Sequence, residues 1–198
     1  PGEAVLELGC GTGAAFLCLA ARVPGLAITA IEQDPALATL AAGNAVLNGV
    51  AADVRAADLR APPLPRVRHG FANPPYWPAG TPSPDPARRQ AAHEAAALAD
   101  WTAALGRAVV PRGTASLVLP AARWGEAAAL LREAGFGALA LLPVAPRAGE
   151  AAKRVLVRGV KAGRGPDTVL PALVLHEGAG WSAAAAGVLG ALAELGRT

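Results

Sequence analysis

The sequence predicts a doubly wound α/β fold, and three observations carry that expectation. A short apolar segment at residues 4–8 runs into Gly9-Cys10-Gly11-Thr12-Gly13, an Ala-rich stretch follows, and a second apolar segment ends at Glu32. Strand, glycine turn, helix and strand within about thirty residues make the nucleotide-binding half of such a fold. Strand-like and helix-like segments then keep alternating along the chain. A later apolar run ends at Phe71-Ala72 and passes directly into Asn73-Pro74-Pro75-Tyr76. That places a distinctive tetrapeptide at the carboxyl end of a strand, where open α/β sheets gather their chemistry.

Each element has its own signals. Ala4 to Leu8 reads as a buried strand, and the helix from Ala14 to Arg22 stops ahead of Pro24-Gly25. A second strand covers residues 27–31. Asp34 and Pro35 supply an N-cap and a first helical residue for a helix reaching Leu47, which Asn48-Gly49 ends. Residues 52–56 form a third strand, and Pro62-Pro63-Leu64-Pro65 is a stiff connection to the fourth, Val67 to Ala72. Residues 78–92 carry too many prolines for regular structure, so a long loop is expected beside Tyr76. A helix from His93 to Val110, Gly113, a strand at 115–119, a helix at 123–134 and a strand at 138–144 follow. Strands at 154–160 and 170–175 and a helix at 182–195 complete the expectation.

Composition bounds the class. The 198 residues suit one domain, residues 1–198, with room for a proper core. Apolar residues reach 53% but aromatics only 4%, so the apolar character is largely Ala. Net charge is +3, unevenly spread. Arg55, Arg60, Arg66 and Arg68 form one basic group; Arg147, Lys153, Arg154, Arg158, Lys161 and Arg164 form another, with only Glu150 among them. Such clusters match a phosphate-backbone footprint, and ordinary solvated faces produce them too. Cys10 and Cys18 are too few and too close to staple the domain, and no Cys/His cluster has metal spacing, which points to a reducing compartment, the cytoplasm, and to no metal. No signal peptide and no long uncharged apolar run is present. Pro1-Gly2-Glu3 leads almost at once into the first strand, so a leading segment is expected ahead of residue 1.

The glycine turn and Asn73 to Tyr76 carry the chemistry. Without Cβ, glycines allow positive φ and close approach of backbone to ligand. Glu32, followed by Gln33, ends the second strand, where a carboxylate accepts the hydroxyls of a ribose. Gly9-x-Gly11-x-x-Ala14 also fits the dinucleotide fingerprint, so the turn alone leaves NAD open. Glu7 favours a different ligand, because an acid is unhelpful beside a pyrophosphate but suits an amino group and a cationic centre. Asp58, after the third strand, stands where an adenine amine could donate to it; a turn role is the alternative. At Asn73-Pro74-Pro75-Tyr76 two prolines remove two donors and leave carbonyls to accept. The Asn oxygen, a stiffened carbonyl and an aromatic face suit a flat group bearing NH2, although Asn-Pro and Pro-Pro are also ordinary turn punctuation.

Glu7 to Gly13, Glu32, Asp58 and Asn73-Pro74-Pro75-Tyr76, in that order, resemble the class I S-adenosylmethionine-dependent methyltransferases, in the subgroup that methylates planar amino nitrogens. The resemblance covers residues 1–145. It implies a Rossmann-like fold with a seven-stranded, mostly parallel sheet and an antiparallel C-terminal strand. It also implies S-adenosyl-L-methionine held by Glu7, Gly9, Gly11, Gly13, Glu32, Gln33, Asp58 and Asn73, with Asn73, Pro74, Pro75 and Tyr76 catalytic. Enzymes with this signature act on adenine N6 in DNA or RNA, on guanine amines in ribosomal RNA, or on a glutamine amide in release factors. Arg154-Val155-Leu156-Val157-Arg158, then Leu173-Val174-Leu175-His176-Glu177 and a helix, resemble the closing segment of the bacterial tRNA1(Val) (adenine37-N6)-methyltransferase family. An enzyme acting on adenine N6 in RNA, with the tRNA anticodon loop as partner, is what that resemblance implies. A protein-glutamine methyltransferase would use the same acceptors, and a NAD-dependent oxidoreductase would keep the glycines and Glu32 but has no use for the tetrapeptide. One departure is Arg68-His69, where this family commonly has an acid ahead of the fourth strand; His69, His93 and His176 are expected to be structural or surface residues.

Overall fold

A computed structural model describes residues 2–61, 63–75 and 97–193, with side chains described as far as Val188 in the last helix. The first half follows the sequence expectation closely. Strand β1 (Ala4–Leu8), helix α1 (Ala14–Arg22), β2 (Ala27–Glu32), α2 (Pro35–Leu47), β3 (Ala52–Ala56) and β4 (Val67–Ala72) occur in order. The Asp34 carboxylate caps α2 by accepting from the amides of Ala36 and Leu37, with Pro35 in the first turn. That cap is the local reason α2 starts where it does.

The second half is more strand-rich than expected. Helix α3 (Leu98–Ala108) passes without a loop into β5 (Val109–Pro120), which starts earlier than residue 115. The register of β5 against β4 slips between Val67 and His69, and a Cβ at Gly113 would meet the Arg68 carbonyl oxygen at 2.3 Å. Only glycine lets β5 pass there. A 3₁₀ turn (Ala121–Arg123) leads into α4 (Trp124–Glu133), then β6 (Phe136–Arg147), β7 (Arg154–Lys161), β8 (Thr168–Val169), β9 (Leu173–Glu177), β10 (Gly180–Trp181) and α5 (Ala183–Ala193). The expected loop at 78–92 and the start of the helix at His93 lie outside the described residues.

All the described strands join one sheet, in the order β10-β9-β6-β7-β5-β4-β1-β2-β3, with β8 also on β6. Strands β3, β2, β1, β4 and β5 run parallel; β7 is antiparallel to β5 and to β6. Strands β1 to β7 make up the seven-stranded sheet that the resemblance implies, and the sheet extends beyond seven through the short β8, β9 and β10. The expected strand at 170–175 begins at Leu173 and runs parallel to β6; the expected antiparallel C-terminal strand is present as β7, inserted between β5 and β6, and β10 is antiparallel to β9. Proline at 171 and a two-residue β8 hide this edge from a periodicity reading.

Two apolar layers clamp the sheet. Leu6, Leu8, Leu105, Leu117, Leu119, Leu131 and Val157 pack α3 and α4 on one face, while Phe16, Ile28, Ala30, Ala41 and Ala45 pack α1 and α2 on the other. Each fully buried Leu or Phe contributes about 1.5–3 kcal/mol. Alanine spacing on α2 (Ala38, Ala41, Ala45) brings that helix close to the sheet, so an Ala-rich sequence still makes a dense core. Among the described residues no helix is long and apolar enough to cross a membrane.

Candidate active site

Parallel registry brings the sequence motifs to one edge. Leu8 lies level with Ile31 of β2 and Ala72 of β4, so Gly9, Glu32 and Asn73 all emerge together at the carboxyl ends of three neighbouring strands, about 4.8 Å apart. The open crevice of an α/β sheet is at such a place.

The turn between β1 and α1 is shaped from beneath. Gly9, Gly11 and Gly13 all have positive φ, of 64°, 55° and 93°. Their reasons differ. A Cβ on Gly9 would sit 2.4 Å from Trp101 Cη2, and one on Gly13 would sit 2.7 Å from Phe16, whereas one on Gly11 would meet nothing within 4 Å. Gly9 and Gly13 are thus packing positions, and Gly11 is where the backbone borders open space. From α2, the Asn44 side chain donates to the Thr12 carbonyl at 2.9 Å and ties the turn down from the side.

Two carboxylates hold this turn. Glu32 accepts from the Gly11 amide at 2.8 Å with one oxygen and from the Asp34 amide at 3.0 Å with the other. Each oxygen keeps a lone pair, so a ribose diol can still donate to it. Glu7 lies beneath the turn, 3% exposed, and accepts from the Phe16 amide at 3.0 Å. It caps α1, whose N-cap residue, Gly13, brings no side chain of its own. Burial pushes the Glu7 carboxyl up to about 8; the Phe16 hydrogen bond opposes this and the nearby Glu32 adds to it. Glu7 therefore supports the start of α1 from beneath the glycine turn. The same burial, with Glu7 and Glu32 nearby, pushes the Cys10 thiol up to about 12, so Cys10 is no nucleophile.

Asn73 follows β4 with its side chain exposed, Pro74 is buried and Pro75 is exposed. Tyr76, the fourth residue of the motif, lies outside the described residues, as does His93. Gln33 is exposed on the bend after β2. Asp58 sits two residues past β3, and the Ala57 amide donates to the Glu32 carbonyl at 2.9 Å, which places Asp58 at the same rim. Its carboxylate, however, takes the amide and guanidinium of Arg60 at 2.6–3.0 Å, and those hydrogen bonds hold it below the usual carboxylate range. An adenine amine could reach only a lone pair left by Arg60.

The first basic group is largely internal in its pairing: Arg55 pairs with Asp53 and Arg60 with Asp58, and Arg66 donates to the Arg107 carbonyl at 3.4 Å. In the second group, Lys161 lies 5.0 Å over the Phe136 ring and serves the fold. Among the described residues no acid is in salt-bridge reach of Arg147, Lys153, Arg158 or Arg164. His69 bonds Thr114 at 2.8 Å and Glu3 at 3.0 Å, so it fastens the start of β4 in place of the acid. Sequence reasoning missed Trp101 and Asn44. An Asn inside an Ala-rich helix is the anomaly that could have pointed to the second, since Asn disfavours helix interiors; nothing in the sequence ties Trp101 to Gly9. Among the described residues no cluster of side chains suits a metal ion.

Residues 5–72 match a family described as a methyltransferase domain. The chain is 34% identical over 161 residues, covering 78% of it and 67% of the relative, to the tRNA1(Val) (adenine(37)-N6)-methyltransferase of Aeromonas hydrophila. It is 32% identical over 171 residues to the enzyme of that name from Shewanella amazonensis, covering 78% of this chain and 69% of the relative. The chain thus spans about two thirds of these relatives. Among solved structures, an Agrobacterium tumefaciens protein described as a predicted O-methyltransferase superposes with TM-score 0.79 at 24% identity, over 96% of this chain and 89% of that one. The Thermus thermophilus 16S rRNA N2 G1207 methyltransferase, solved with AdoMet and guanosine, superposes with TM-score 0.60 at 23% identity, over 81% of this chain and 38% of that one. At these identities the two structures speak for the fold alone.

Proposed function

The chain belongs to the tRNA1(Val) (adenine(37)-N6)-methyltransferase family, and from that premise we propose that it transfers a methyl group from S-adenosyl-L-methionine to the N6 amine of an adenine in tRNA, in the anticodon loop. The observation that carries the reading is the convergence of Gly11, Glu32 and Asn73 at one edge of the sheet. The cleft fits the cofactor: Gly11 offers backbone with open space where its Cβ would be, and Glu32 keeps acceptor capacity beside it. When bound, S-adenosyl-L-methionine supplies an electrophilic methyl on a sulfonium leaving group.

The chain's own task is to position. An aryl amine is a poor nucleophile, because its lone pair is delocalised into the ring. Acceptors on both N–H bonds hold the nitrogen so that this pair points at the methyl carbon, which is the kind of orientation that removes much of a barrier. In this reading the Asn73 side-chain oxygen and the Pro74 carbonyl are those acceptors. Tyr76 stacks on the base, a contact worth about 1–3 kcal/mol. The N–C bond forms as the C–S bond breaks, and the amine loses its proton to solvent afterwards, so no strong base is required. Glu32 and Gly11 fix the ribose end, and Asn44 and Trp101 keep the turn rigid beneath it. Basic residues of the second group hold phosphates, which gives affinity without sequence information.

The test is to incubate the protein with tRNA lacking the modification and isotope-labelled S-adenosyl-L-methionine, then digest and identify labelled nucleosides by mass spectrometry. Labelled N6-methyladenosine mapped to the anticodon loop is expected. Label on a guanine, or in protein, would overturn the reading.

A further inference from the structure

Strand β6 is parallel to β9 and antiparallel to β7, itself antiparallel to β5. The carboxyl ends of β6 and β9 therefore point to the same edge of the sheet as Asn73 at the end of β4. His176, near the end of β9, pairs across the hairpin with Trp181 of β10, and the two rings stack with centroids 4.6 Å apart and planes 23° from parallel. Trp181 is still 54% exposed. Trp101 on α3 is buried and Trp124 is 50% exposed; what sets Trp181 apart is that its open ring already stacks on a second ring, at the edge of the sheet that also carries Asn73.

The surroundings are basic. Arg147 is the register partner of His176, and its guanidinium donates to the Gly178 carbonyl at 2.6 Å, which fastens the β9–β10 turn to the end of β6. Lys153 and Arg154 begin the neighbouring strand on the same edge; Glu150 and Glu177 are the acids of this corner. Four strand spacings of about 4.8 Å separate β9 from β4, so the stacked pair stands roughly 19 Å from Asn73 along one rim. Bases of a single strand stack on aromatic side chains whatever their sequence, with cations alongside for phosphates, over sites of about 4 to 16 nucleotides.

We propose that the Trp181–His176 pair is a second contact for the RNA substrate, a platform on which an unpaired base outside the reacting one stacks while Arg147 and Lys153 meet its phosphates. The inference rests on the RNA-methylating reading given above. It gives a use to Arg147 and Lys153, which no acid among the described residues pairs, whereas Arg55 and Arg60 of the first group are paired with Asp53 and Asp58. A stacking contact of this kind adds affinity and leaves the chemical step untouched.

The test measures anisotropy of a fluorescent 12-residue oligoadenylate and of an RNA duplex against the full chain and the variants Trp181→Ala, Trp181→Leu and Trp181→Phe, over a range of salt. Both the Ala and Leu variants should weaken oligoadenylate binding roughly tenfold, the Phe variant should recover most of the loss, and duplex binding should change little, since a duplex offers no open base face. The slope of affinity against salt should stay constant, because no phosphate contact is removed. With tRNA as substrate, Trp181→Leu should raise KM for tRNA and leave KM for S-adenosyl-L-methionine and kcat alone. Wild-type oligoadenylate affinity in the Leu variant, or a Phe variant as weak as Ala, overturns the platform, whatever base is methylated. Absence of N6-methyladenosine from tRNA, with the oligoadenylate results as expected, overturns the functional reading and leaves the platform standing.

Discussion

Replacing Glu7 by Gln isolates the most perturbed acid beside the cleft. The carboxyl is buried under the glycine turn and held near 8, against an ordinary value of 4.5. A group whose folded value is raised stabilises the fold fully below pH 4.5, and that contribution is lost as pH climbs through 8. Between those limits the unfolded chain has already released the proton that the folded chain keeps, which costs about 1.4 kcal/mol per pH unit. From pH 5 to pH 8 the wild-type protein should therefore lose on the order of 4 kcal/mol through this one side chain. Gln keeps an oxygen for the Phe16 amide, fills the same space and does not titrate. Urea unfolding at pH 5, 6, 7 and 8 on both proteins should show Glu7→Gln gaining on wild type steadily with pH. Two stability profiles running parallel would mean that Glu7 ionises normally in the folded chain, and the argument from burial would fall.

Three other perturbations separate packing from chemistry at the same turn. Gly9→Ala, whose Cβ would fall 2.4 Å from Trp101, should lower stability by about 2 kcal/mol or more in a denaturant titration, whereas Gly11→Ala, with open space at that position, should lose mainly cofactor affinity in calorimetry. Of the two free cysteines, buried Cys10 and exposed Cys18, only Cys18 should react with a disulfide reagent at pH 8 in the native protein; prompt modification of both would contradict a Cys10 thiol held near 12. Asn73→Ala should cut methyl transfer by about 10²-fold or more, a loss of the size seen when one oriented polar group is removed from a reaction centre, and should leave S-adenosyl-L-methionine binding measurable. Near wild-type turnover would take Asn73 out of the reaction.

How far the sequence could be read depended on whether the signal was local. Helix α2 was legible because its start is written in two adjacent residues, Asp34 and Pro35, and the cap forms as expected. The glycine turn was legible for the same reason, but three identical glycines hid two different jobs, because only the tertiary neighbours Trp101 and Phe16 distinguish packing positions from the one that borders open space. Glu7 shows the same limit: its place in the sequence told that an acid mattered there, but its burial and its bond to the Phe16 amide could be read only from the fold. The C-terminal edge was hardest, since β8 and β10 are two residues each and carry no periodicity. That edge is also where the exposed tryptophan stands. A periodicity argument finds the strands that a core requires, and the parts it passes over are those kept by something other than core burial. At Trp181 that something is, within the fold, the His176 ring and the pairing with β9, and the proposed RNA contact gives the open face of the ring its use.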